Sequence, residues 1–237
     1  VIAGPVGGGN SVIAGNRTWT PWCRMDAVQE LAQVWQALVG RHSSSPLIDE
    51  VGRALLDSWS DPRRRYHDIN HLRDILGYVD LLADYADDAD AVRLAAWYHD
   101  AVFEARPDDE ERSACQAEAD LTRLGVAADF VAEVVRLVRM TAGHNPAHGD
   151  RDAEVLSDAD LASLALPVEQ YRRNSADIRL EFAHVPDEVF RSGRAAIIAA
   201  LLAANSLYRT PAARDRWEAA ARANLKAELD ALTDSQP

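Results

Sequence analysis

Apolar residues recur along most of the chain at the three- and four-residue intervals of an α-helix. A clear example, MDAVQELAQVWQALVG, begins at Met25, and alternating apolar and polar runs long enough for strands are absent from the sequence. The pattern predicts helices over residues 25–39, 46–58, 62–84, 90–104, 108–124, 127–142, 151–165, 167–184, 186–208 and 211–232. We therefore predict an all-α helical bundle that forms a single domain over residues 25–237.

Two proline pairs support the predicted helix starts. Asp61-Pro62 and Thr210-Pro211 each place a capping residue directly before a proline. Proline is favoured in the first turn of a helix, because the N–H groups there have no intrahelical acceptor and the N–H that proline lacks is not needed. The sequence thus predicts helices that open at Pro62 and Pro211.

Residues 1–24 lack the helical period. The segment VIAGPVGGGNSVIAGNRTWTPWCR repeats VIAG and holds five of the twelve glycines. It is not a secretory signal, because no basic start precedes a continuous apolar stretch. Two interpretations stay open: a leader of cloning or upstream-translated origin ahead of a start at Met25, or a flexible native arm.

The charge balance limits the partners of this protein. The chain has 25 Lys and Arg residues against 38 Asp and Glu residues, a net charge of -13. A field of that sign repels nucleic acid polymers and anionic membrane surfaces. Cys23 and Cys115 cannot build a disulfide framework, and no apolar run approaches the roughly 20 residues of a membrane span. We predict a cytoplasmic protein without a nucleic acid or membrane partner.

Histidines and aspartates interrupt the apolar faces of three predicted helices. They are His67 and His71, four apart in RRRYHDINHLRDIL, His99-Asp100 in AVRLAAWYHDAVFE, and Asp158 and Asp160 in AEVLSDADLASLAL. Taken singly, a histidine on an apolar face is more often a hydrogen-bonded core residue than a ligand. A buried imidazole or carboxylate nevertheless requires a counter-charge or a metal. The combination of a histidine, a His-Asp pair and a later aspartate, in that order, is less easily ascribed to chance.

In that order His71, His99-Asp100 and Asp160 resemble the H…HD…D signature of the HD superfamily of metal-dependent phosphohydrolases. The resemblance covers roughly residues 28–232. RYHDINHL, WYHDAVFE, DDEERSA, LSDADLASL and ARANLKAEL are similar to a bacterial subgroup of predicted metal-dependent HD phosphohydrolases. The resemblance implies an HD-domain helical bundle whose metal ligands are His71, His99, Asp100 and Asp160.

The chain departs from that subgroup at two positions. Asp68 in YHD and Asp109 in DDE stand where the subgroup has asparagine, and each adds a negative charge beside the expected site. For the last ligand the DADL motif of the family favours Asp160. Asp158 is expected to lie on another side of the helix or behind the ligands.

The implied ligands also indicate a class of metal and of reaction. Two imidazoles and two carboxylates suit one or two divalent transition-metal ions, which could be Mn, Fe, Co, Ni or Zn. They leave coordination positions open, and an ion held in this way can activate a water and polarise a phosphoryl oxygen. The resemblance therefore implies a hydrolase that cleaves a small phosphomonoester or a nucleotide.

Three residues are candidates for proton transfer. Glu104 lies one predicted helical turn after Asp100 and could position the attacking water. Glu110 matches a motif position of the subgroup, at a helix start where a carboxylate also complements the helix dipole. His67, one turn before His71, could orient a ligand, donate to phosphate or act as a general acid. Alternatively, it is a surface histidine beside the arginines that precede it.

A phosphorylated substrate also needs cationic or donor partners, and arginine suits phosphate. The candidates are Arg64 and Arg65 before His67, Arg179, which matches a subgroup arginine, Arg194 in FRSGR, which we expect to be a turn, and His144. The last matches a family histidine and could be a fifth ligand or contact the leaving group. Most arginines on helices are only solvated ion-pair partners, and that interpretation stays open for each of the four. A glycine-rich phosphate loop with its lysine is absent from the sequence.

Two other functions stay open. A di-iron oxygenase of HD fold requires further histidines between the His-Asp pair and the last aspartate, where the chain has only His144 and His148. A ligand-binding regulatory protein could keep the fold without turnover, although it has no reason to retain four ligating groups in apolar helices. The apolar C-terminal helices are consistent with a homodimer or with the core of one chain.

Overall fold

The computed structural model describes residues 24–234, and every regular element in that range is helical. The elements are α1 Arg24–Val39, α2 Ile48–Trp59, α3 Ile69–Leu82, a 3-10 turn Ala83–Tyr85, α4 Ala89–Tyr98, α5 Asp109–Arg123, α6 Ala128–Met140, α7 Arg151–Asp160, a 3-10 turn Leu161–Ala165, α8 Val168–Glu181, α9 Asp187–Ala203 and α10 Pro211–Asp234. The all-α prediction is confirmed. The predicted leader, residues 1–24, lies outside the described residues except for Arg24, which begins α1.

Helix α4 lies at the centre of the bundle. It packs against α3, α5, α6 and α7, and its residues are buried around nearly the whole circumference, as expected of a helix with little polar surface. Trp97 in α4 packs edge to face against Trp35 of α1, with ring centroids 5.2 Å apart. The indole N–H of Trp59 in α2 donates to the Trp97 carbonyl at 3.1 Å. The C-terminal end of α4 is therefore held rigidly in the core.

The third helix begins later than predicted. It starts at Ile69, because the Asp68 carboxylate before it accepts hydrogen bonds from two backbone N–H groups of the first turn, at 2.8 and 3.4 Å. Pro62 therefore opens no helix, and the boundary predicted there is wrong. His67 precedes the helix that carries His71 and does not share a helical face with it.

Two other helices end earlier than predicted. Helix α4 ends at Tyr98 instead of residue 104, so that His99 and Asp100 lie in the turn that follows it. Helix α9 ends at Ala203 instead of residue 208, where the Arg222 side chain binds the carbonyl groups of the last turn at 2.7 and 3.0 Å. The predicted start of α10 at Pro211 is confirmed.

Helices α8 and α9 bury less of their surface than the central helices. Helix α8 buries only Tyr171 and α9 only Ile198, and α9 packs mainly against α10. None of the helices between residues 24 and 234 is long and apolar enough to cross a membrane.

Candidate metal centre

Four of the predicted ligands converge at the C-terminal end of α4. His71 Nε2 lies 3.2 Å from His99 Nε2 and 3.2 Å from Asp160 Oδ1. The ligating atoms of these three residues all lie within 4.8 Å of one another, a spacing that could hold a metal ion. Asp100 Oδ2 adjoins the group, 3.0 Å from His99 Nε2 and 3.9 Å from His71 Nε2. The ligands come from the first turn of α3, the turn after α4 and the last residue of α7.

The orientation of the His99 ring is fixed from behind. Its Nδ1–H group donates to the Ala96 carbonyl oxygen of the last turn of α4, at 2.9 Å. This bond directs Nε2 toward the carboxylates. It also places the ring proton on Nδ1, so that Nε2 is the nitrogen that can bind a metal. The buried end of α4 therefore presents an imidazole nitrogen at a defined position.

The charges in the cluster favour a cation between the carboxylates. Burial lowers the pKa of His99, but the facing carboxylates of Asp100 and Asp160 more than offset it and raise the pKa to about 9. Burial raises the pKa values of Asp100 and Asp160. The combined effect of the neighbouring histidines, His99 first among them, is larger and opposite, so both pKa values lie below the usual value and both carboxylates remain ionised. Buried imidazole and carboxylate groups of this kind fit a divalent transition metal, which would compete with the proton on His99.

His144 joins the cluster from the segment between α6 and α7. Its Nε2 atom lies 3.2 Å from Asp160 Oδ2, and its backbone adopts a left-handed conformation with φ 45°. That conformation is uncommon for a residue with a side chain. The contact with Asp160 is compatible with either predicted role, a fifth ligand or a contact to the leaving group.

Asp158 has a different function from Asp160. It is fully buried, and its two carboxylate oxygens accept the backbone N–H groups of Arg209 and Thr210, both at 2.7 Å. It therefore fixes the chain at the start of α10, whereas Asp160 faces the histidines. This division agrees with the expectation that Asp158 lies behind the ligands.

Arg64 holds the backbone on both sides of the cluster in place. Its buried guanidinium donates to the carbonyl oxygens of His67, Asp100 and Ala101, at 3.0, 2.7 and 2.8 Å, and lies 5.1 Å from the Trp59 ring. These bonds take up the carbonyl groups that would otherwise continue α4. The donors of Arg64 thus serve the backbone of the His99-Asp100 turn, and its predicted contact with substrate stays a prediction.

Two other predicted substrate residues serve the C-terminal helices. Arg179 binds Asp187 and donates to two carbonyl groups between α8 and α9, at 2.6 and 3.0 Å, which closes that turn. Arg194 lies within α9, not in a turn, and binds the Glu228 carboxylate of α10 at 2.9 and 3.2 Å. The turn predicted at Arg194 is therefore wrong, whereas substrate binding by either arginine stays a prediction for a guanidinium that already has partners within the fold.

The two glutamate candidates differ in position. Glu104 does not lie on a helix after Asp100; its side chain is 47% exposed and binds Arg112 at 2.8 Å and Arg106 at 3.4 Å. The predicted helical placement of Glu104 is therefore wrong, and its role as the base stays a prediction. Glu110 lies half-buried in the first turn of α5. Partial burial raises its pKa, and the nearby Asp100 carboxylate raises it further, so Glu110 lies within electrostatic reach of the cluster.

Glu181 was not identified from the sequence, although it holds the loop before α3. Its side chain is only 2% exposed. One oxygen accepts the backbone N–H groups of Arg65, Tyr66 and His67, at 2.7, 2.9 and 3.0 Å, and the other binds His67 Nδ1 at 2.7 Å. The His67 ring also stacks on Phe103, with centroids 4.2 Å apart. His67 is thus a fixed residue with a buried carboxylate partner, and its interpretation as a surface histidine is wrong.

A cleft of about 730 Å³ opens beside the cluster, between α3 and α8. His71 and Asp160 are part of its lining, and Arg65 lines it from the loop before α3. The Arg65 guanidinium is exposed and has no side-chain partner between residues 24 and 234. Among the predicted arginines, Arg65 is therefore the one that the fold leaves available to a ligand in this cleft.

Comparisons of the chain with protein-family models, with curated proteins and with solved structures found no match. The side chains described above are therefore the basis for assigning a function.

Proposed function

We propose that the protein is a metal-dependent phosphohydrolase of the HD superfamily, which cleaves a small phosphomonoester or a nucleotide. The observation that carries the proposal is the meeting of His71, His99 and Asp160 within 4.8 Å, from three separate elements and beside Asp100. These residues have the sequence order of the H…HD…D signature that they resemble. They also adjoin a cleft of about 730 Å³, which is large enough for a small substrate.

The donor set of the cluster fits one or two divalent transition-metal ions from Mn, Fe, Co, Ni and Zn. His71, His99, Asp100 and Asp160 would hold the metal, and His144 is close enough to Asp160 to assist. A bound ion of this class lowers the pKa of a water and polarises a phosphoryl oxygen. The carboxylates and imidazoles of this chain would fix its position.

The remaining groups have roles that follow from their contacts. Arg65 offers an unengaged guanidinium for phosphate oxygens. The Glu181 carboxylate holds His67 at Nδ1, which leaves Nε2 available to give a proton to the leaving oxygen. Glu110 is a second proton-transfer candidate because it lies near the cluster, where burial and the Asp100 carboxylate raise its pKa.

The His144 contact is also the observation that favours a second function. A third imidazole against Asp160 increases the number of nitrogen ligands, as a di-iron oxygenase of this fold requires. Two bound irons per chain together with dioxygen consumption would favour that alternative over hydrolysis.

The test is phosphate release from phenyl phosphate and from nucleoside monophosphates. The full chain is stripped with a chelator, reloaded with Mn, Co, Ni or Zn, and compared with His71→Ala and Asp160→Asn. The exposed His148→Ala is the matched control. We expect metal-dependent hydrolysis that falls at least about 1000-fold in both cluster variants and is retained in the control. Equal rates in the wild type and the cluster variants would contradict the proposal, as would a fully metal-loaded protein that hydrolyses none of these esters.

A further inference from the structure

The wall of the cleft formed by α8 is polar along its whole length. Gln170, Arg173, Asn174 and Asp177 line the cleft at positions i, i+3, i+4 and i+7, which form one face of a helix. No side-chain hydrogen bond is formed by these residues within the described part of the chain, and only Arg173 among them is classed as exposed. This helix therefore presents a row of polar groups to the cleft, in which the Asp177 carboxylate also attracts the Arg65 guanidinium.

The opposite wall is formed by α3 and carries the same kinds of group. Asn70 and Asp74 line the cleft there, one helical turn apart, and the only ion pair of Asp74 among residues 24–234 is a 3.3 Å contact with Arg73. Amide groups both donate and accept hydrogen bonds, and carboxylates accept them. A ligand between the two walls thus meets partners for groups that can donate and accept, as hydroxyl groups do.

The charge of the cleft limits the charge of its ligand. The lining holds three arginines and four aspartates, one of which is Asp160 of the cluster. With these and the remaining ligand, Asp100, ionised and a divalent ion at the cluster, the formal charges of the site sum to zero. A site without excess positive charge suits the one or two negative charges of a phosphomonoester better than the four of a nucleoside triphosphate.

The cleft offers little surface to a nucleobase. Its apolar side chains are few, and its two aromatic rings are already packed. The Tyr66 ring lies 5.1 Å from that of His71 and its hydroxyl group bonds to Ser163 at 2.6 Å, while Tyr78 packs edge to face against Trp217 at 5.4 Å. A flat heterocycle would therefore meet rings that already pack against other side chains, beside the polar face of α8.

We infer that the substrate is a sugar or polyol phosphate. This inference rests on the proposed phosphohydrolase activity. Its phosphate lies at the His71 and Asp160 end of the cleft, with Arg65, and its hydroxyl groups bond to the polar faces of α3 and α8. Specificity for the hydroxylated part of the substrate then resides chiefly in Gln170 and Asn174.

The test compares ribose 5-phosphate with a nucleoside 5′-monophosphate, since the two differ by the base alone, and with phenyl phosphate as a substrate without hydroxyl groups. With the full, Mn-loaded protein we expect kcat/KM for ribose 5-phosphate or a hexose 6-phosphate to exceed that for phenyl phosphate at least about 100-fold. It should exceed the value for the nucleoside monophosphate at least about 10-fold, the factor that corresponds to about 1.4 kcal/mol.

Variants of α8 locate the specificity. Asn174→Leu should raise KM for the sugar phosphate about tenfold and affect phenyl phosphate less. Gln170→Met serves as a second variant if Asn174→Leu fails to fold. Glu169→Gln, whose side chain is 79% exposed, is the matched control and should leave both substrates unaffected.

The outcomes separate this inference from the proposed function. Hydrolysis of phenyl phosphate with no preference for the sugar phosphate, or with a preference for the nucleoside monophosphate, would overturn the inference and leave the phosphohydrolase intact. A metal-loaded protein that hydrolyses none of the three substrates would overturn both. A preference for sugar phosphate that Asn174→Leu and Gln170→Met do not reduce would refute the assignment to α8.

Discussion

Replacement of Asp158 and of Asp160, two residues apart in α7, is expected to have opposite consequences. Asp158 is fully buried and is the acceptor for the backbone N–H groups of Arg209 and Thr210. Each buried donor left without an acceptor costs about 1–3 kcal/mol, so Asp158→Ala should lower the free energy of unfolding by about 2–6 kcal/mol. Asp158→Asn keeps one acceptor and should lose about 1–3 kcal/mol. These are large fractions of the 5–15 kcal/mol that typically stabilises a domain.

Replacement of Asp160 by Asn should instead weaken metal binding and leave the stability of the fold nearly unchanged. Asn at this position keeps a polar side chain of the same shape that can hydrogen-bond to His71 and His144. The metal-free protein should therefore stay within about 1.5 kcal/mol of the wild type. Metal affinity should fall by more than the roughly 10–100-fold that loss of a supporting residue causes, because a ligating charge is removed.

The assay has two parts. Urea unfolding in the presence of a chelator, followed by circular dichroism, gives the free energy of unfolding of each variant. Titration calorimetry with Mn or Zn on the folded variants gives metal affinity. A fully stable Asp158→Ala, or a folded Asp158→Asn that loses metal as severely as Asp160→Asn, would refute the division of roles.

Three further outcomes follow from contacts near the cluster. Glu181→Gln still accepts backbone N–H groups but weakens the bond that orients His67, so kcat for phenyl phosphate should fall about 10–100-fold with KM within about twofold; a change in KM alone would contradict a role in proton transfer. Arg64→Met removes the side-chain donor of the His67 and Asp100 carbonyl groups, whereas the Ala101 carbonyl keeps Ser58 Oγ at 3.1 Å. The change should cost about 2 kcal/mol or more in urea unfolding, and an unchanged midpoint would show that these bonds do not stabilise the turn. In the metal-free protein the pKa of His99 is raised from 6.5 to about 9, so its protonation stabilises the fold fully below about pH 6.5 and less as the pH rises through 9. Urea unfolding between pH 6 and 10 should show this decline and Asp100→Asn should flatten it; stability that increases over the same interval would contradict the assignment.

The helical period of the sequence was sufficient to locate the helices, because each buries an apolar face. Their ends were harder to predict where a distant side chain determines them. The end of α4 depends on Arg64, which binds carbonyl oxygens 36 and 37 positions away. The start of α3 depends instead on a local cap, Asp68, which competed in the prediction with the proline at position 62.

The site was predicted in part for similar reasons. Histidines and aspartates on apolar helices are unusual, and His71, His99 and Asp160 do converge. Glu181 gave no signal, because its partners lie 114–116 positions earlier in the chain. Arginines that bind phosphate and arginines that bind carbonyl groups look alike in a sequence, so Arg179 could be distinguished from Arg65 only by its contacts.

The ability of the cluster to bind metal is tested most directly by elemental analysis of the full chain, purified without chelator. The double variant His99→Ala, Asp100→Ala is analysed beside it, with His148→Ala as control. We predict close to one transition-metal ion per chain in the wild type and the control, and none in the double variant. Two irons per chain would favour the oxygenase alternative. A wild-type protein that binds no metal, even after addition of Mn, Co, Ni or Zn, would contradict the hydrolase proposal.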